Sequence, residues 1–221
     1  MQPWRHRRVV AMTSGGGAAA FSPLDIAGLQ LWLDASQIVG LNDGDAVGTW
    51  SDLSGNANDV TQATVSRQPT FKTSGSERWV QFDGVDDYIG GVGPVYTQSH
   101  TVALRVKLTT GIAASSFGKF YVAYDRFAYF SGSNINGSAF SAGDFHTIVM
   151  IVDGSASKIR VDGAEILSGT FSGNEVSGFN LGAWSGPSLY SDLKAKQACL
   201  YNSVLGASDL AALENYLNAV P

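Results

Sequence analysis

The stretch "KIRVDGAEIL" (Lys158–Leu167) decides the fold. Asp162-Gly163 is a pair that accepts positive φ at both positions, as a two-residue type I′ hairpin turn requires. With these two at the turn, Val161 faces Ala164, Arg160 faces Glu165 and Ile159 faces Ile166. Apolar pairs then share one face, and opposite charges the other. A slip of one residue would carry Arg160 into the core, so the register is specified. The expected Arg160–Glu165 pair adds only ~0.2–1 kcal/mol. Its value is in fixing alignment.

Working outward, the same punctuation recurs. Asp-Gly stands at 43–44, 83–84 and 153–154, and Asn-Gly at 136–137. Between these turns lie short β-rich runs. In "HTVALRVKLT" (100–109), Val102, Leu104, Val106 and Leu108 share one face, and Ala103, Arg105 and Lys107 the other. That period of two marks a strand with one face in the core. "TIVMIV" (147–152) is apolar on both faces, which predicts a central, covered strand. Only the end reads as helical. In "GASDLAALENYLNAV", Ser208 is the expected N-cap, Asp209 sits at the positive helix end, and Leu210, Leu213 and Leu217 form an apolar stripe. This helix is expected to seal an edge or end of the fold.

The 26 Gly residues and the low charged fraction of 15% suit tight turns and short strands better than long solvated helices. The expectation is an all-β, two-sheet antiparallel sandwich with one short C-terminal helix and an extended N-terminal arm. Residues 1–22 are read as arm and Gly/Ala linker ("TSGGGAAA", 13–20), and residues 23–221 as the sandwich. Formal net charge is −5, and −8 without Arg5, Arg7 and Arg8 of the leader. An acidic body disfavours phosphate-backbone binding, so no nucleic-acid partner is expected. No membrane partner is expected either, because the longest clean apolar run is Ile148–Val152, far short of the ~20 residues a spanning helix needs. Cys199 is the only cysteine, which excludes an internal disulfide and a multi-thiolate zinc site.

Several phrases then coincide: "LQLWLDAS" (29–36), "VGTWSDLSGNANDVTQ" (47–62), "VQFDGVDDYI" (80–89), "FHTIVMIVDGSASKIRVDG" (145–163), "FNLGAW" (179–184) and "ACLYNSVLGASDLAALENYL" (198–217). Their order resembles the laminin-G-like jelly rolls of the concanavalin A-like superfamily, over roughly residues 28–218. A Phe145-His146 pair stands where that pattern usually has Trp-His. The resemblance implies a jelly-roll sandwich of a kind common in phage structural proteins and bacterial surface proteins. Trp32, Trp50, Trp79 and Phe82 are the large anchors expected between its sheets.

Catalytic constellations are sparse. Glycoside cleavage usually needs two carboxyls at a fixed separation. The chain has four Glu, at 77, 165, 175 and 214, none close to another in sequence. Asp86 and Asp87 are adjacent, so in a strand they would point to opposite faces. Cys199 has no His beside it and reads as an inert thiol. No catalytic residue is assigned. Related sandwiches sometimes hold Ca²⁺ at the rim. "DLSGNAND" offers Asp52, Ser54, Asn56, Asn58 and Asp59, and "FDGVDDY" offers Asp83, Asp86 and Asp87. The same residues are turn formers, and that reading is preferred. No cofactor or metal ligand is assigned.

Two functions are expected. The first is a non-catalytic display subunit on a phage virion surface, as capsid decoration or tail-associated protein. Its arm would anchor it to other virion proteins through Trp4, Arg5, Arg7 and Arg8. The alternative is a carbohydrate- or receptor-binding module acting through the sandwich rim, with Trp184 and Tyr190 in the "AWSGPSLY" loop as the aromatic platform. A homo-oligomer is compatible with either.

Overall fold

The computed structural model describes residues 21–96, 99–110, 112–113, 120–123, 126–130, 134–139, 143–170, 176–184 and 188–221. The arm, with Trp4, Arg5, Arg7 and Arg8, lies outside these residues. In chain order the strands are β1 (Leu29–Asp34), β2 (Thr49–Trp50), β3 (Val60–Thr61), β4 (Thr70–Ser74), β5 (Glu77–Asp83), β6 (Ile89–Tyr96), β7 (His100–Thr110), β8 (Ile112–Ala113), β9 (Phe120–Ala123), β10 (Arg126–Phe130), β11 (Asn134–Ala139), β12 (Phe145–Val152), β13 (Ser157–Val161), β14 (Ala164–Gly169), β15 (Val176–Leu181), β16 (Ala183–Trp184), β17 (Ser188–Tyr190) and β18 (Asp192–Tyr201); helix α1 (Ala207–Asn218) follows.

The expected antiparallel sandwich is present. Its large sheet runs β14-β13-β12-β7-β18-β5-β4, with β1 also paired to β18. The facing layer contains β15-β6-β3-β2, while β8 to β11 form an antiparallel meander and β16-β17 a two-stranded ribbon. Leu104, Val106, Ile148, Met150, Val80 and Phe82 of the large sheet pack against Trp50, Val60, Ile89, Phe179 and Leu181 of the facing layer. The alternation read from "HTVALRVKLT" holds: Val102, Leu104, Val106 and Leu108 are all in this core.

The hairpin turn also holds. Asp162 and Gly163 both have positive φ, 49° and 84°, and Arg160 faces Glu165. One step further the register shifts, so Ile159 faces Leu167 instead of Ile166. The ion pair differs as well. Arg160 places Nε 2.7 Å and Nη2 3.1 Å from the two Glu214 carboxylate oxygens on α1, while Glu165 pairs with Lys158 at 2.8 Å. A long guanidinium reaches past its cross-strand neighbour when a half-buried bidentate partner is available.

That contact shows where α1 lies. It covers part of the outer face of the large sheet, not an edge or end. Leu213 and Leu217 pack on Ala103, Val149, Ile151, Cys199 and Tyr201, with Trp32 and Tyr216 at the margin. "TIVMIV" is apolar on both faces because β12 has the inter-sheet core on one side and this second core on the other. Two of the expected inter-sheet anchors are therefore elsewhere: Trp32 lies in the outer core, and Trp79 sits half-buried on the outer face, whereas Trp50 and Phe82 are between the sheets. Gly206, not Ser208, is the N-cap.

The free edge of β1 is closed by the Asp52–Asp59 loop. Asp52 Oδ1 accepts from the backbone N–H of Trp32 and of Ser54, both at 2.9 Å; Oδ2 accepts from Asn58 N–H at 3.0 Å and lies 2.7 Å from the Ser54 hydroxyl. Asn56 and Asn58 side chains donate to the Leu29 and Gln30 carbonyls. An edge strand that would expose unpaired backbone groups is thus covered by side chains. Asp52→Ala removes these acceptors. We expect it to lower the unfolding free energy by about 2–3 kcal/mol, measured by urea denaturation. A loss below ~0.5 kcal/mol, the usual effect of an inconsequential surface change, would show that the loop does not hold this edge.

Candidate functional site

The first piece of the site is the turn "DGVDD" between β5 and β6. Asp83 Oδ1 accepts from the N–H groups of Val85, Asp86 and Asp87 at 2.8, 3.2 and 3.3 Å, and Asp87 Oδ2 accepts from Asp83 N–H at 3.0 Å. Asp86 and Asp87 therefore lie in a tight turn and not in a strand. Instead of pointing apart, they converge with Asp83: one carboxylate oxygen from each lies within 4.8 Å of the others. Asp87 is buried, and its carboxyl is pushed up to about 6, first by burial and then by the neighbouring charges of Asp83 and Asp86.

The second piece is the ribbon β16-β17, which carries Trp184 and Tyr190. Its pairing sets Ala183 opposite Tyr190 and Trp184 opposite Ser188. Ser191 N–H closes it onto the Gly182 carbonyl at 2.9 Å. Tyr190 is half-buried; the Trp184 side chain lies outside the described residues.

Gly182 joins the two pieces. It has φ +88°, and a Cβ there would sit 2.3 Å from Phe82 Cδ1 and 2.7 Å from the Asp87 carbonyl. Only glycine fits this approach, so the acidic turn and the root of the aromatic ribbon are locked against each other although about a hundred residues apart. Gly84 meets the start of β18 in the same way: a Cβ there would lie 2.9 Å from Asp192 N. Asp192 faces Asp83 across β5-β18, and its Oδ1 is buried without a hydrogen-bond partner. The structure thus brings together Asp83, Asp86, Asp87 and the Trp184/Tyr190 ribbon at one end of the sandwich. In "DLSGNAND", both Asp52 oxygens accept hydrogen bonds that brace the loop against β1.

A separate cleft of about 230 Å³ is lined by Asp34, Gln37, Ile38, Leu41, Trp50 and Leu53 among others. The buried Trp50 Nε1 has no hydrogen-bond partner. Asp34 is engaged, accepting from Ser36 N–H and from the Gln197 amide. Sequence reasoning did not single out this cleft.

Other candidate chemistry is committed to the scaffold. Glu77, Glu165 and Glu214 each pair with a cation: Lys196, Lys158 and Arg160. His146 Nδ1 lies 2.6 Å from Asp162 Oδ2, tying β12 to the hairpin turn. Cys199 is fully buried beneath α1, and burial drives its thiol pKa strongly upward.

No family model matches the chain, and no curated protein matches it by sequence. Solved structures do match. A Trypanosoma rangeli sialidase in complex with sialic acid aligns with TM-score 0.62 and 15% identity, over 90% of this chain and 34% of that one. The chain thus spans about a third of the sialidase. Domain 4 of AbnA, a GH43 extracellular arabinanase from Geobacillus stearothermophilus, in complex with arabinotriose, aligns with TM-score 0.57 and 19% identity, over 84% of this chain and 98% of that one. The binding domain of Paraclostridial Mosquitocidal Protein 1 aligns with TM-score 0.63 and 12% identity, over 87% of this chain and 52% of that one. At such identities the likeness shows the shared sandwich fold.

The acidic turn has a pH signature. Burial pushes the Asp87 carboxyl up to about 6, above the usual carboxylate value of 3.8. The folded state therefore binds more protons between these values, and stability falls as pH rises through them. Denaturation at pH 4 and pH 7 should show a loss from this group of up to about 2.5 kcal/mol. Asp87→Asn, which keeps an acceptor for Asp83 N–H, should flatten that slope. An unchanged slope would show that Asp87 does not cause it.

Proposed function

We propose that this chain is a non-catalytic carbohydrate-binding module of laminin-G-like, concanavalin A-like type, acting outside the cell and holding its ligand at the rim through the Trp184/Tyr190 ribbon. The observation that carries this reading is the likeness to the arabinanase domain. It extends over 98% of a domain whose structure is described with arabinotriose. The rim geometry supports it. The ribbon is pinned at Gly182 to a turn rich in carboxylates, and aromatic faces beside hydrogen-bonding oxygens are what a sugar ring needs: C–H surface stacks on a ring while hydroxyls donate to acceptors. The toxin binding domain supports the broader class of receptor-binding surface module.

The virion-subunit reading depends on Trp4, Arg5, Arg7 and Arg8, which lie outside the described residues. Neither the described residues nor the neighbours named above support it. It keeps a direct test: removal of residues 1–20 should abolish attachment to a particle, and attachment at normal occupancy would end it.

The glycan reading is tested on the full chain with a glycan array followed by calorimetry on the best hit. Trp184→Ala and Tyr190→Ala are each expected to weaken binding tenfold or more, equivalent to ~1.4 kcal/mol, with unchanged melting temperature. A blank array, or full binding by both variants, would refute the rim assignment.

A further inference from the structure

The outer face of the large sheet is only half covered by α1. Its uncovered half is formed by the central strands β7 and β18 with β5 and β12 beside them. Inward positions on these strands are core residues, Val106 and Leu108 on β7, Leu193 and Ala195 on β18. The alternation therefore sends Arg105, Lys107, Lys194 and Lys196 outward. Lys194 and Lys107 stand directly opposite each other in the ladder. Like charges placed directly across a ladder repel. Neither has a carboxylate within 4 Å among the described residues, and both are partly exposed.

The two flanking cations are each near a carboxylate, which leaves Lys107 and Lys194 as the uncompensated pair among the described residues. Lys196, with its side chain only 3% exposed, sits 3.4 Å from Glu77 and 4.0 Å from the Phe145 ring centroid. Arg105 contacts Asn218 and Thr147, lies 3.8 Å from Asp162, and leaves its buried Nε without a partner. Lys194 Nζ stands 5.3 Å from the Trp79 ring centroid, so the ring supports the ammonium from one side. Packing lysine against lysine in the middle of an otherwise acidic protein breaks a local rule of sheet design. Such breaks mark places where something other than stability is being served.

We propose that this half-face is a docking surface for a polysaccharide bearing carboxylates, with Lys107 and Lys194 as the paired cation that receives them. That occupant rests on the glycan-binding reading above; the surface itself is a different one from the rim. Charge complementarity selects an anionic chain. The patch is short, bounded by Asp83 and Asp192 along the strands at one end. A nucleic-acid duplex, with a phosphate charge every ~1.7 Å of axis, would run its charge over those carboxylates. A uronic-acid polymer carries only one carboxylate per ring, so a short run of rings can meet the two lysines without extending its charge over those carboxylates. The arm of this chain is not the occupant, because its Arg residues carry the same sign.

The test uses the full chain with a polygalacturonate oligomer, neutral arabinan and single-stranded DNA of equal charge as probes, read by calorimetry at two salt concentrations. The wild type is expected to bind polygalacturonate, more weakly at higher salt. Lys107→Gln with Lys194→Gln should lose tenfold or more of that affinity, melt at the same or a higher temperature, and show a shallower salt dependence. If the double variant does not fold, Lys194→Gln alone should lose threefold or more. Four results overturn the proposal: no binding of polygalacturonate, wild-type affinity in the lysine variants, equal affinity for DNA, or lysine-dependent self-association in sedimentation. Arabinan bound while polygalacturonate is ignored sinks this proposal alone. Lysine-dependent polygalacturonate binding with Trp184→Ala silent on every glycan sinks the rim assignment alone.

Discussion

Strand β18 has to satisfy three neighbours at once, and the rest of the molecule is arranged around how it does so. Along one side it pairs with β7 from Asp192 to Tyr201. Along the other, Asp192–Ala195 pairs with β5 and Gln197–Tyr201 with β1. Two strands thus share one edge, and the junction falls where the register with β7 shifts, between Ala195 and Gln197. A bulge there places two consecutive residues, Lys196 and Gln197, on the same outer face, so Ala195 and Ala198 both point into the core. Small side chains at those positions fit the crowding where β5 gives way to β1. Without the bulge, one half of β18 would present its polar side to the core.

The bulge also divides the outer face by role. Beyond it, Gln197, Cys199 and Tyr201 lie under α1. Gln197 bonds Asp34 and Tyr216, and the Tyr201 hydroxyl donates to the Pro23 carbonyl. Before it, Lys194 and Lys196 face outward with no helix over them. The helix is held where it is by Arg160–Glu214 and by Asn218 contacting Arg105 and Thr147, so its C-terminal end stops at the margin of the cationic half. One covered half supplies stability through a second apolar core; on the other, Lys107 and Lys194 stay partly exposed.

Much of this architecture was legible in the sequence, because period-two alternation and Asp-Gly turns are local properties. The turn at Asp162-Gly163 and the inward faces of β7 and β12 follow from them directly. The sidedness of Trp32 and Trp79 was legible too. Trp32 sits between inward-facing Leu31 and Leu33, and Trp79 is out of phase with inward-facing Val80 and Phe82, so parity places both outward although ring size alone argues for the core. The partner of Arg160 and the seat of α1 were not legible. A leucine stripe says that a helix has an apolar face and nothing about which sheet face receives it. The candidate site is the least local part. Trp184 and Tyr190 could be named from composition, but the docking of their ribbon's root against the Asp83–Asp87 turn depends on Gly182, whose signal is a single residue between β15 and β16.

The same locality explains why the two unusual charge arrangements lie side by side. Asp192 faces Asp83, and two residues on, Lys194 faces Lys107. Each row alone sets like charge against like, against the preference for opposite charges across a ladder. Taken together they form a step from negative to positive along a single strand pair, on a backbone that β7, β5 and the inter-sheet core keep rigid. Exchanging Lys194 for an acid would have neutralised Lys107 within the sheet, and exchanging Asp192 for a base would have paired Asp83. Asp83 is needed for its turn, where it accepts from three backbone N–H groups, but nothing in the ladder demands an acid at Asp192 or a base at Lys194. The polarity of β18 is therefore a property of the surface and not of the scaffold. It gives one rigid strand an acidic end beside the aromatic ribbon and a cationic stretch beside the helix margin.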